Sequence, residues 1–371
     1  MSWLPVRYRS AVIAIVVFGA FALLPFAGWH IPWILPGPED ILNSTGTIAP
    51  LAVCFLFAGV AAGYDLIFGF TGLLSLGQAL YFGVGAYVFT VTVTDWNWPF
   101  VPAIAVTIGV ALIVAIISGA VALRVTGIAF AMVTLAFAQA FYFVVESNPH
   151  NLTGGDSGLS LNDARLPFFA QGAVSNTRNL YWVALVFLFV STVVVWRVTS
   201  SETGHLFVAI RENERRLEVL GVRTYWYKLL AVVISAVIAA VGGVVYVLLI
   251  GTVQPISVAA TSVTLAILIM VVLGGPGTRW GALGGAMVYE YLQQYLTTGP
   301  LEPKFANLPG VLRVPLSQPQ FLLGTLFIIF VIFVPGGIAG VYYRRKAKGL
   351  QAAGGDVTRR TFMDLFKKHA A

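Results

Sequence analysis

Apolar runs long enough to cross a bilayer recur along the whole chain, and they leave it almost no other way to fold. A helix needs about 20 mostly apolar residues to traverse the hydrocarbon core. Ten segments approach or reach that length: Ala11–Ala27, Ile48–Phe68, Leu73–Thr94, Phe100–Leu123, Gly127–Val145, Leu180–Val198, Lys228–Ile250, Ala260–Leu273, Gly281–Leu296 and Phe321–Val341. The runs are continuous rather than alternating, which argues against an outer-membrane barrel. Charged residues make up 10% of the 371, against about 25% in an ordinary soluble domain, too few for a soluble surface. The expected fold class is all-α, a polytopic integral membrane helical bundle of about ten spans. A transmembrane domain, 1–341, is followed by a basic tail, 342–371.

The basic residues orient this bundle. Lys and Arg stay on the cytoplasmic side of short loops. With the N-terminus inside, only Arg165, Arg178, Lys304 and Arg313 of the 22 basic residues fall outside. Both termini are then cytoplasmic, in the inner membrane of a bacterial cell. The asymmetry also accounts for the net charge of +7, so no nucleic-acid partner is needed to explain it. The tail reads as an anchor on anionic membrane lipid. Arg7 and Arg9 ahead of Ala11–Ala27 also fit a signal peptide. No clear small-residue cleavage site follows, so a first span is expected.

Catalytic chemistry is missing. The sequence has no G-x-x-x-x-G-K-[ST] phosphate loop, no H-E-x-x-H and no G-x-S-x-G. The one cysteine, Cys54, has no partner within the chain. A non-enzymatic chain without a cofactor is expected. Intramembrane acids are functional candidates. Asp65 and Glu146 lie near span ends, close enough to an interface to be merely hydrated. Glu290 lies deeper.

Ser201–Val222 differs from the rest. Leu206, Ile210, Leu217 and Leu220 fall roughly on one helical face, charges cover the other, Gly204 opens the run and Gly221 closes it. A short amphipathic helix between two spans is expected. It can rest on lipid or insert into a partner's groove. Its mixed charge favours a protein partner.

Here the sequence resembles a known family. The run Gly204 to Val222, with Ala209-Ile210-Arg211-Glu212-Asn213-Glu214 and Leu220-Gly221-Val222, is similar to the coupling loop of branched-chain amino acid permeases of the LivM type, within ABC importers. Three other blocks agree in order: Tyr64 to Gln78, Arg124 to Gln139 followed by Leu152–Leu159, and Met270 to Gly281. Pro300–Gln320 and the tail lie outside the pattern. The resemblance implies a permease subunit carrying branched-chain or related small amino acids. It also implies a second, homologous permease, two cytoplasmic ABC ATPases docked on the loops, and an extracytoplasmic solute-binding protein. The ATPase-coupling positions are Glu202, Gly204, Leu206, Ala209, Ile210, Arg211, Glu212, Glu214, Leu217 and Gly221, within a loop spanning 199–227.

The glycine blocks Gly69-x-x-Gly72 and Gly274-Gly275-x-Gly277 form a faint repeat. They serve tight turns, or free backbone groups to meet a polar solute. With their polar neighbours they give candidate pathway positions: Asp65, Gly69, Gly72, Gln78, Thr134, Gln139, Gly274, Gly275, Gly277 and Glu290. Relatives that move urea, short amides or other small amphipathic solutes are an alternative reading. A secondary transporter would need more intramembrane charge than this chain carries.

Overall fold

Continuous apolar runs become helices because the bilayer leaves backbone groups no partner but their own helix. A computed structural model describes residues 18–19, 21–26, 45–162, 166–167, 176–278, 280–298, 318–334 and 336–340. Its main helices are α1 Thr45–Asp65, α2 Gln78–Thr94, α3 Phe100–Ala122, α4 Ile128–Glu146, α5 Thr177–Thr199, α6 Glu202–Val219, α7 Thr224–Ile250, α8 Thr261–Gly274, α9 Gly281–Thr298 and α10 Pro319–Phe333. A π turn, Leu66–Phe70, extends α1. One minimal antiparallel ladder pairs Leu159 with Val253 and Ser160 with Thr252. The protein is an all-α polytopic membrane protein.

Among the described residues seven helices are long and apolar enough to cross a membrane, and Gln78–Thr94 is a shorter apolar helix. The sequence led us to expect ten spans. The difference has particular causes. Of Ala11–Ala27 only 18–19 and 21–26 are described. The third expected span starts at Gln78 rather than Leu73, because Thr71–Gly77 is not helical. The ninth forms a helix, α9, but Glu290, Gln293 and Gln294 dilute its apolar character. The 300–317 stretch and the tail 342–371 lie outside the described residues.

The span containing α1 is the hub and is mostly buried. It packs against α5, α7, α8 and α9, while α7 also holds α2 and α3. Less than a third of α3 and of α4 is buried. On α3, Leu112, Ile113, Ile116 and Ile117 form an outward apolar face, as a lipid-facing helix should. Small residues allow close contact where the hydrophobic effect cannot drive it. A Cβ on Gly85 of α2 would meet the Ala240 backbone of α7, and one on Gly243 of α7 would meet the Phe82 carbonyl. A Cβ on Gly59 would meet the Phe187 ring, and one on Gly63 would come within 2.8 Å of Ile238. These glycines pack the bundle.

Candidate functional site

Helix α6 is two helices. Asn213 adopts φ −165°, ψ 95° and breaks the spiral. Its side-chain oxygen accepts the Arg216 N–H at 3.0 Å, an N-cap on the second piece. Gly221, at φ 85°, ends that piece. Its N–H bonds the Glu218 carbonyl at 2.9 Å and the Val222 N–H bonds Leu217 at 3.1 Å, the paired bonds of a Schellman motif. A left-handed residue there suits glycine. Gly221 therefore closes the helix as the sequence suggested. Gly204 does not open it: the helix starts at Glu202, and Gly204 is buried against the Thr199 backbone.

The apolar stripe also differs from the expected one. The break at Asn213 resets the helical phase, so one face cannot run from Leu206 to Leu220. In the first piece Gly204, Phe207 and Ile210 are buried. Phe207 packs with Leu66 and Phe70 of the π turn and with Ala231 of α7. Leu206, Ala209, Glu214 and Leu217 are half-buried, while Glu202, Arg211, Glu212 and Gly221 are exposed. Leu220 is 73% exposed and Val219 83%. The inward stripe thus anchors the first piece, and the end of the second piece presents apolar side chains outward. Ile210, at 5% exposure, belongs to the chain's own packing. We expect Ile210→Asp to lower the yield of folded protein in detergent, because an unpaired buried charge costs several kcal/mol. Fluorescence size-exclusion chromatography will read this, with a monodisperse, wild-type-level peak as the contrary result.

Two polar ties fix α6 to the bundle. Lys228 of α7 forms an ion pair with Glu214, with side-chain exposures of 7% and 33%. Thr224 donates to Glu214 at 2.9 Å and to Glu218 at 3.2 Å. The second tie is Arg211, whose Nη1 donates to the Gly69 carbonyl. Asp65 lies beside it, 2% exposed, and accepts the Gly277 N–H at 2.8 Å. Asp65 is therefore buried rather than hydrated. A Cβ on Gly69 would collide with the Asp65 carboxylate and the Gly277 amide. Gly72 lies against the Arg211 side chain. The two glycine blocks, far apart in sequence, meet beneath α6. Gly274 and Gly275 continue this junction toward α9 and Gly337.

Other sequence candidates lie elsewhere. Gln78 is fully buried and its Nε2 donates to Ser235 Oγ at 3.2 Å. Thr134 Oγ1 accepts the Leu76 N–H at 3.0 Å. Thr264 Oγ1 accepts the Ala79 N–H at 2.8 Å, and Tyr64 donates to the Ser75 carbonyl at 2.7 Å. These partners satisfy the irregular segment before α2, which starts level with the middle of α7. Gln139 of α4 donates to Thr261 of α8. Glu146 is half-buried beside Tyr142. Glu290 stands apart from the junction, in the middle of α9. Three residues with clear structural roles, Phe207, Lys228 and Thr264, are not among the candidate site positions. Phe207 was one position from the chosen Leu206, and the others gave no local signal.

Comparisons with known proteins fit this architecture. A family model described as "Branched-chain amino acid transport system / permease component" matches residues 47–331. The chain is 25% identical over 322 residues to the high-affinity branched-chain amino acid transport system permease protein LivM of Escherichia coli (strain K12), covering 81% of this chain and 71% of that protein. It is 24% identical to the Salmonella typhimurium protein of the same name, with the same coverage of both chains. It is 27% identical over 206 residues to a probable branched-chain amino acid transport permease protein LivM of Methanocaldococcus jannaschii, covering 55% of this chain and 57% of that one. No solved structure matches. The relatives are permease components of transport systems rather than enzymes, and with the family model covering most of its length this chain belongs to the branched-chain amino acid permease family of ABC transporters.

Proposed function

We propose that the chain is a permease subunit of an ATP-driven importer for branched-chain or related small amino acids, in a bacterial inner membrane. Both termini face the cytoplasm, and the span count reaches ten with the segments beyond the seven long apolar helices. A second, homologous permease completes the pathway. An extracytoplasmic solute-binding protein delivers the solute, and two cytoplasmic ABC ATPases drive the cycle.

The observation that carries this reading is the construction of α6. Its first piece is anchored by Phe207 and Ile210, and its second is tied to α7 by Glu214. The end, Val219–Leu220, stays exposed among Arg215, Arg216 and Glu218. A rigidly mounted apolar tip with a charged rim suits a groove on a soluble partner. The ATPase contact therefore centres on Val219 and Leu220, with Arg215 and Arg216 at its rim. Arg211 and Asp65 carry its motion to the junction of α1 with the α8–α9 turn.

Leu220→Asp tests this. The side chain is exposed, so the variant should fold and insert at wild-type levels. In the complex the carboxylate would be buried unpaired, at several kcal/mol, enough to weaken docking by about a hundredfold or more. Co-purification of the ATPases with the tagged permease should fall accordingly, and amino acid uptake with it. Wild-type co-purification and uptake would refute the docking assignment.

A further inference from the structure

Glu290 is 3% exposed and lies at the middle of α9. Its Oε1 accepts a hydrogen bond from Gln294 Nε2 at 3.1 Å. No cation among the described residues pairs with it. Its electrostatic neighbours, Cys54 of α1, Tyr246 of α7 and Tyr289, are uncharged side chains. A buried carboxylate is costly unless a positive group answers it. Asp65 differs in this respect, because a backbone N–H and the nearby Arg211 answer it.

A cavity lies one helical turn from Glu290 along α9. It has a volume of about 210 Å³ and lies at the end of the bundle opposite α6, between the first turns of α1 and α5 and the last turns of α7 and α9. Ala49, Pro50, Val53, Leu180 and Leu249 make most of its wall apolar, and Gln294 brings a polar group into it. Glu290 sits one helical turn deeper than Gln294, about 6 Å along the axis. The cavity is smaller than the roughly 300–1,000 Å³ pockets of drug-sized ligands, which suits a small solute. An apolar wall, one amide at the edge and an unanswered carboxylate beneath it form a graded site. Such a site would suit an apolar side chain and a positive head.

We propose that Glu290, approached past Gln294, receives the ammonium group of the transported solute while Val53, Leu180 and Leu249 receive its apolar side chain. This deepens the amino-acid permease reading and rests on it. The chemical class is an amine-bearing apolar solute. Urea and simple amides, which carry no cationic group, are poor occupants.

The test uses the full chain, purified in detergent, with thermal unfolding as readout at constant ionic strength. The probes are leucine, leucinamide (the ammonium without the carboxylate) and isocaproate (the carboxylate without the ammonium), each at millimolar concentration, with sodium chloride and potassium chloride as alkali-cation arms. Leucine and leucinamide should raise Tm, and isocaproate should not. Glu290→Gln should weaken the leucinamide effect about tenfold or more, since charge-assisted hydrogen bonds are the strong ones. Glu290→Asp keeps the charge and should retain part of the effect. The proposal is overturned if leucinamide fails to stabilise the wild type, if Glu290→Gln responds as the wild type does, or if an alkali cation alone reproduces the shift. The assay needs no ATPase. Failed ATPase co-purification would count against the importer reading and leave this result standing.

Discussion

Glu214→Ala should be the most destabilising single change at the surface of α6. It leaves the Lys228 ammonium, only 7% exposed, without its ion-pair partner. Breaking a buried pair by removing one member costs about 3–5 kcal/mol. The reciprocal change, Lys228→Met, should cost less. The charge it strands, Glu214, is 33% exposed and remains partly hydrated, and methionine refills the apolar space of the lysine stem. The double variant Glu214→Ala/Lys228→Met should be more stable than Glu214→Ala alone, because no charge is left buried. Thermal unfolding of the purified proteins will rank the three. Equal losses in both single variants, or simple addition in the double, would show that the pair is not coupled as described.

The second large effect is expected at Asp65. Asp65→Ala removes the acceptor of the Gly277 N–H in a fully enclosed position, and a buried donor left unsatisfied costs about 1–3 kcal/mol. It also strips Arg211 of a counter-charge, so the tie from α6 to the Gly69 carbonyl should loosen. Asp65→Asn keeps an oxygen in place and should recover most of the stability. It should not recover the charge on which Arg211 leans. Membrane level and Tm measured beside uptake separate the two contributions. Loss of uptake in both variants with stability restored only in Asp65→Asn would assign the carboxylate a role in coupling. Wild-type behaviour of Asp65→Ala in both measurements would remove the junction from the mechanism.

Much of the fold was legible in the sequence because apolar length alone specifies a spanning helix. The spans ending near Phe70, Ala122, Glu146 and Thr199 needed nothing further. Thr71–Gly77 was illegible for a physical reason. Leu73, Leu74 and Leu76 read as span, yet the backbone there is irregular and depends on Thr134, Ser75 and Tyr64 for hydrogen bonds. Thr134 and Tyr64 come from other helices and leave no local mark. The segment Glu202–Val219 was legible as an element but not in its facing. Asn213 carried the signal of a break, an N-cap residue followed by Glu214, but an uninterrupted periodicity hid it. Asp65 and Gly277 were both found as candidates. Their meeting, across 212 positions, was beyond any reading of spacing.

The start of α2 has a consequence for how the protein is made. Leu76 waits for Thr134, 58 positions on. Gln78 waits for Ser235, 157 positions on, and Ala79 for Thr264, 185 positions on. At about 5–20 residues per second of synthesis, the last of these partners emerges about 10–40 s after the groups that need it. Through that interval the polar backbone before α2 has no place in lipid. The segment must be sheltered by the insertion machinery or held at the interface until α7 and α8 arrive. Truncation before Thr264 should therefore leave α2 accessible to protease, and biogenesis of this chain is completed from its later half backward.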